Sequence, residues 1–104
     1  MRIISQNGNV DLPYEKALVF HAMETVLARC EGYDKEIVLG EYSSMEKAYK
    51  AMEMLRERYT DNIFCREDIQ YKAEMLLDDG LQIVREMMMK YEYFQFPQDS
   101  EVEV

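Results

Sequence analysis

Two short runs with apolar positions, separated by polar turn residues, predict a β-hairpin within the first twelve residues. Ile3 to Gln6 and Asn9 to Leu12 have the composition of two short strands, and Asn7-Gly8 stands between them. Asn-Gly supplies the positive φ angles that a two-residue type I′ turn requires. Pro13 lacks an amide proton, so it should end the second strand or lie on a sheet edge.

The pattern between Ala17 and Cys30 fits two structures. A strand-like run begins at Leu18, but four small or apolar side chains also recur at helical spacing: Leu18, Ala22, Val26 and Cys30. Periodicity alone favours a helix here. The next segment, Glu36 to Tyr42, is rich in β-forming residues and follows a turn-forming Gly32-Tyr33-Asp34, so it predicts a strand.

A central helix is predicted from about residue 44 to 59. Ser43 and Glu46 have the spacing of a capping box, in which each side chain bonds the backbone amide of the other residue. The apolar side chains that follow recur at three- and four-residue steps, which is typical of one buried helix face; they are Met45, Ala48, Tyr49, Met52, Leu55 and Tyr59.

A second helix is predicted from about residue 67, where two acids, Glu67 and Asp68, suit a helix N-terminus. Apolar positions continue at helical spacing to about residue 89. Gly80 follows two further acids and costs ~1 kcal/mol in a helix interior, so the helix could also break there. In that alternative Leu81 to Glu86 forms a strand instead.

These elements predict a single α+β domain. Aromatic and polar residues alternate from Tyr91 to Phe96 and indicate a last strand, which Pro97 ends. We therefore expect an antiparallel sheet of four to six strands packed on the central helix of residues 44–59. Residues 1–97 make up the domain, and residues 98–104 are expected to form a flexible acidic tail.

The charge of the chain restricts its partners. The net charge is −9, and residues 61–104 carry eleven acids against four bases. This acidity opposes direct binding to nucleic acid, because phosphate contacts require Lys and Arg. No apolar run approaches the ~20 residues that cross a bilayer, and no signal-peptide core precedes Asn7-Gly8, so a cytoplasmic protein without membrane contact is expected.

Few residues suggest chemistry, and we predict a protein that is not an enzyme and holds no cofactor. His21 is the single histidine, so neither a two-His metal site nor a Ser-His-Asp triad is easily built. Cys30 and Cys65 match no CxxC spacing and are expected to be free thiols. Carboxylates at Glu74, Asp78 and Asp79 could hold Mg²⁺, but a solvated acidic face is the favoured interpretation, and no metal is predicted.

Three blocks resemble a known family. IISQNGNVDLPYE, LGEYSSMEKAYKAMEML and FQFPQDSEVEV look like a family of small proteins found in Firmicutes, often on prophages and other mobile elements. The resemblance covers somewhat under half of the chain and carries no catalytic residue. It implies two strands within Leu18–Cys30 rather than a helix. In size, charge and setting the chain is also similar to anti-CRISPR proteins, a likeness of class and not of motif.

A binding function follows as the leading hypothesis. Rows of acids could imitate phosphates and occupy the basic groove of a nucleic-acid-binding defence protein, with a Cas9-type nuclease as the sharpest candidate. Adaptable methionines could add contacts. The predicted partner-binding residues are Glu67, Asp68, Glu74, Asp78, Asp79, Met88 and Met89. The alternative is an accessory or structural protein of a mobile element, with which a homodimer is compatible.

Overall fold

The computed structural model describes the backbone of residues 1–73 and 92–104 and the side chains of residues 1–63 and 92–104. Short 3-10 helices at Tyr14–Lys16 and Asp99–Glu101 accompany the regular elements. In chain order these elements are β1 (Arg2–Ile4), β2 (Asp11–Pro13), β3 (Ala17–Ala22), β4 (Thr25–Cys30), β5 (Ile37–Glu41), α1 (Met45–Ala73) and β6 (Tyr93–Gln95).

Strand β1 is the centre of the first sheet, which has the order β2-β1-β6. It pairs antiparallel with β2, where Ile3 lies opposite Leu12, and parallel with β6, where Ile3 lies beside Phe94. All three side chains are buried. The predicted N-terminal hairpin is thus confirmed, and Pro13 ends the edge strand β2, where its missing amide breaks no ladder bond.

The loop of this hairpin is longer than the two-residue turn that Asn-Gly predicts. The Gly8 amide donates to the Ser5 carbonyl at 2.9 Å, and the Val10 amide donates to the Ser5 hydroxyl at 3.0 Å. Among residues 1–73 and 92–104, Gly8 has a positive φ of 78° and Asn7 does not have one. The hydroxyl of the buried Ser5 therefore accepts the Val10 amide in place of a backbone carbonyl. Short polar side chains commonly compete with backbone pairing in this way.

Strands β3, β4 and β5 form a second, antiparallel sheet in that order. The two strands that the family resemblance implied between Leu18 and Cys30 are present, and the helix favoured by periodicity is wrong. Pairing explains the outcome, because Val26 and Ala28 become fully buried in strand β4, with a period of two. The apolar residues that suggested a helix are four positions apart, and a spacing of four also fits the two-residue period of a strand. The spacing therefore could not distinguish a helix from a strand.

Helix α1 packs against β3 and β4 through buried side chains that include Ala48, Ala51 and Leu55. Its cap lies one residue later than predicted, since the hydroxyl of Ser44, and not of Ser43, accepts the amide of Lys47 at 3.2 Å. The predicted central helix is confirmed within α1. A separate second helix from about residue 67 is not confirmed, because residues 67–73 continue α1 without a break.

The α+β class is confirmed, whereas one antiparallel sheet of four to six strands is not. The described strands form two sheets of three, and the β1–β6 pair is parallel. The two sheets stay separate because the loop after β1 contacts the edge of β5 through Gln6 and does not pair with β5 as a strand. Whether residues 1–97 are a single domain with a flexible tail stays a prediction, although Val102 within that tail is buried at 3% exposure.

Gln6 connects the two sheets. Its amide donates to the Leu39 carbonyl at 2.7 Å, and its side chain bonds both the amide and the carbonyl of Glu41 at 3.1 and 3.2 Å. The same carboxamide donates to the Pro97 carbonyl at 3.1 Å. Leu39 is available for this contact because a bulge in β5 leaves it without a partner between Val38 and Gly40.

Candidate protein-binding surface

The second sheet has one face on the helix and one face towards solvent. Alternate side chains of its strands point away from α1 and form a patch that we call the outer face. Leu18 is 63% exposed and Val38 is 48% exposed, although both are large and apolar. The outer face consists of Leu18 and Phe20 on β3, Leu27 on β4 and Val38 on β5. Phe20, Leu27 and Val38 lie opposite one another in a row across the three strands.

One basic side chain lies on this face. The guanidinium of Arg29 stands 5.6 Å from the centre of the Phe20 ring, within cation–π range, and it also bonds Glu36 at 2.7 Å. Arg29 is opposite Leu18 in the sheet. Glu36 therefore balances the positive charge of Arg29. The centre of the outer face is apolar and carries almost no net charge.

Acidic side chains surround that centre. Glu41 lies opposite Thr25 and next to the hairpin tip that carries Glu24, while Glu31 and Asp34 stand in the loop at the other end of the sheet. These four carboxylates are exposed and form no ion pair with any residue whose side chain the structure describes. Residues 17–42 carry five acids and two bases. We call the four the acidic rim.

The edge of β3 borders the outer face. In a hairpin with a two-residue turn, the pair that closes the turn is hydrogen-bonded, and along the strands such pairs alternate with pairs that are not. Here the closing pair is Ala22 and Thr25. The N–H and C=O groups of Val19 and His21 therefore point away from β4. No backbone group in the described part of the chain bonds them. A groove of about 510 Å³ runs beside this edge, lined among others by Tyr14, Val19 and Tyr59.

The groove has an aromatic wall. The rings of Tyr14 and Tyr59 stack with 4.2 Å between their centres, and the His21 ring meets Tyr49 edge-on at 6.4 Å. Partial burial, and then the proximity of Tyr59, raise the pKa of Tyr14 above its ordinary value. Tyr14 therefore stays neutral at physiological pH, and the stacked rings offer apolar area together with hydroxyl groups.

The opposite side of the sheet is closed by the C-terminal segment. Asp99 accepts the Ser43 amide at 2.7 Å and the Lys47 ammonium at 3.3 Å, so its pKa lies below the ordinary value, chiefly because of the Ser43 amide. The Tyr42 hydroxyl donates to the Pro97 carbonyl at 2.9 Å. Burial, and then the carboxylates of Asp99 and Glu101, raise the pKa of Tyr42 strongly. These groups hold structure and present no open site.

The side chains of the sequence-predicted binding residues lie outside the part of the chain whose side chains the structure describes. Glu67 and Asp68 lie in the last part of α1, where the backbone is described and the side chains are not. The other five fall outside the described residues: Glu74, Asp78, Asp79, Met88 and Met89. Their role stays a prediction.

The residues with chemical potential are scattered. His21 is half-buried against Tyr49, and Cys30 is a buried free thiol in the core. In the part of the chain that the structure describes, no three His, Cys, Asp or Glu side chains are grouped as metal ligands would be. Nor does any helix there combine the length and apolarity needed to cross a membrane.

Comparison with known proteins adds no family: no family model, no curated protein and no solved structure matches this chain. The likeness of the three sequence blocks to a mobile-element family therefore stays an expectation. The argument about function depends on the surface itself. A signal for that surface was present in the sequence, since the run from Ala17 to Phe20 is apolar on both faces, which a strand with one solvated face does not require.

Proposed function

We propose that this chain acts by binding a protein, and that the outer face with its acidic rim occupies a basic, nucleic-acid-binding surface of that partner. The observation that carries the proposal is the exposure of Leu18 and Val38 between the carboxylates of the acidic rim, which form no ion pair with any described side chain. An apolar centre with a charged margin is the usual organisation of protein interfaces. Scattered single apolar residues would need no explanation, but these lie on one face of the same sheet and are joined across β4 by Phe20 and Leu27.

The charges indicate the kind of partner. A surface with net negative charge attracts a positively charged one and speeds the encounter, whereas it repels nucleic acid. Proteins that hold nucleic acid in a groove offer such a surface. A Cas9-type nuclease, with its basic channel for guide and target, is the most specific candidate that the mobile-element resemblance suggests.

The experiment is a titration of the purified chain against a guide-loaded Cas9-type nuclease, with cytochrome c as a basic protein that has no nucleic-acid groove. We expect binding to the nuclease that heparin competes away, and none to cytochrome c. Val38→Ser should weaken binding at least tenfold, because it places a polar group in the centre of the interface. Val104→Ser is the matched control, since Val104 is 71% exposed and belongs to no strand.

A second pair of variants tests the rim. Asp34→Asn with Glu41→Gln removes one rim charge at each end of the face, and Glu46→Gln with Glu57→Gln removes two exposed charges from α1. The rim pair should slow association and flatten its salt dependence, because exposed charges act within ~8 Å at physiological salt. Equal effects of the two pairs would contradict a role for the rim.

The acids predicted from the sequence form a separate arm of the same titration. Neutralising them together tests whether the last third of the chain, and not the sheet, imitates phosphates; they are Glu67, Asp68, Glu74, Asp78 and Asp79. If this variant alone loses binding, the outer face is not the contact surface. If the wild-type chain binds no nuclease, the accessory-protein alternative is favoured.

A further inference from the structure

Among the residues that the structure describes, the edge of β3 has none of the devices that usually prevent strands from pairing between molecules. Natural edges carry charged side chains, proline, a bulge or a covering segment. Residues Ala17–Ala22 contain no charge and no proline, and β3 pairs with β4 without a bulge. Within residues 1–73 and 92–104, the outward N–H and C=O groups of Val19 and His21 have no backbone partner.

We propose that this edge pairs with the β3 edge of a second copy of the chain, antiparallel about a two-fold axis at Phe20. A two-fold axis brings the same strand of both copies together, so residues before Phe20 in one copy must fit residues after Phe20 in the other. With Phe20 opposite Phe20 of the second copy, Val19 lies opposite His21. Both residues have outward backbone groups, so the pair exchanges two hydrogen bonds, and symmetry doubles them to four.

Charge complementarity selects this register. Pairing about Phe20 brings the start of β3, where Lys16 ends the preceding 3-10 helix, beside the hairpin tip of the other copy, which carries Glu24. Both side chains are exposed and form no ion pair with described residues. The next registers that keep Val19 and His21 in hydrogen-bonding positions move that tip along the strand, towards Leu18 or towards Tyr14, and away from Lys16. One arrangement therefore satisfies the backbone and both charges.

The side chains that border the edge also suit a second strand. On the outer side Phe20 meets its own copy at a position without hydrogen bonds, where side chains stand closest. On the helix side the edge is flanked by Tyr49, Met52 and Tyr59, spaced so that they share one flank of α1. The product is a continuous six-stranded sheet with both helices on one face. The proposal does not depend on the proposed function.

Sedimentation of the purified chain over a concentration series tests the dimer without any partner. We expect a reversible monomer–dimer equilibrium, with amide exchange at Val19 and His21 slowing as the concentration rises. Lys16→Glu and Glu24→Lys should each raise the dimer Kd about tenfold or more, because two attractive pairs become repulsive. Lys35→Glu, which changes the net charge equally but lies in the β4–β5 loop, should change Kd less than about twofold.

Mixing the two single variants gives the decisive result. Lys16→Glu in one chain and Glu24→Lys in the other restore two opposite-charge pairs across the axis, so the mixture should form a heterodimer at about the wild-type Kd. Circular dichroism confirms that each variant folds. A wild-type chain that stays monomeric up to 1 mM overturns the proposal. So does a mixture that dimerises no better than its components.

Discussion

The two edges of the β3-β4-β5 sheet are treated differently by the rest of the molecule. At the β5 edge, Gln6 bonds the backbone of Leu39 and of Glu41, so a single residue from another loop covers it. At the β3 edge, the outward backbone groups of Val19 and His21 meet no backbone group of the described residues. The β5 edge is thus covered within the fold, whereas the β3 edge is unpaired among the described residues, which is the basis of the proposed dimer.

The comparison also separates two uses of polar side chains. Around the covered edge, carboxamides, a tyrosine hydroxyl and a carboxylate bond backbone groups across 35 to 92 residues of sequence. At the end of the open edge, the rim carboxylate of Glu24 is exposed and has no ion-pair partner among the described residues. Polar groups that satisfy buried backbone contribute to stability, whereas exposed charges mainly direct association.

The largest expected effect concerns the core that both edges share. Leu55 is 2% exposed and lies under the sheet beside the groove. Leu55→Ala should lower the free energy of unfolding by about 2–5 kcal/mol, because it leaves a cavity between α1 and β3. Ile63→Ala is the control on the same helix, at a side chain that is 41% exposed. Urea unfolding measures both, and similar losses would mean that α1 does not pack as described.

Gln6→Ala uncovers the closed edge. The change removes three side-chain hydrogen bonds, two to the backbone of Glu41 and one to the Pro97 carbonyl, and should cost about 1–3 kcal/mol. Gln6→Glu keeps an acceptor for the Glu41 amide but turns a carboxylate oxygen towards the two carbonyls that the Gln6 side chain bonds, so its loss should be at least as large as that of the alanine variant. Amide exchange at Glu41 should accelerate in the alanine variant. Unchanged exchange there would show that Gln6 does not cover the edge.

Prediction from sequence worked for elements and failed for their assembly. Local signals located the hairpin, the strand at β5, the central helix and the last strand, because turn residues and apolar periods are encoded within a few residues. The division into two sheets depends on Gln6 reaching Glu41 and Pro97, contacts that no local pattern records. The outer face was missed because exposure of Leu18 depends on what the fold leaves uncovered.

A smaller effect is expected at the tip of the open hairpin. Met23 has a φ of 53°, a left-handed conformation that is unfavourable for a side chain with a Cβ atom. Met23→Gly should stabilise the chain by up to about 1 kcal/mol, since relief of strain exceeds the extra entropy of the unfolded glycine. Glu24→Gly, at the following residue, relieves no positive φ and should be neutral or destabilising. If both variants melt at lower temperature than wild type, Met23 is not strained.

The smallest effect is the pH dependence of the covered side. The Ser43 amide, and less strongly Lys47, lower the pKa of Asp99 from its ordinary value of 3.8. A carboxyl whose pKa is lower in the folded chain stabilises the fold above its unfolded pKa, and that contribution is lost as the pH falls through the folded value. Carboxyl-carbon NMR titration should therefore show Asp99 protonating below pH 3.8, and Lys47→Met should move its pKa upward without reaching that value. Melting curves should agree: Asp99→Asn lowers Tm at neutral pH, and the difference from wild type shrinks as acid protonates the native carboxylate. If Asp99 titrates at its ordinary value in the wild-type chain, the C-terminal segment does not hold Ser43 and Lys47 in solution, and Gln6 is left as the contact that covers the β5 edge.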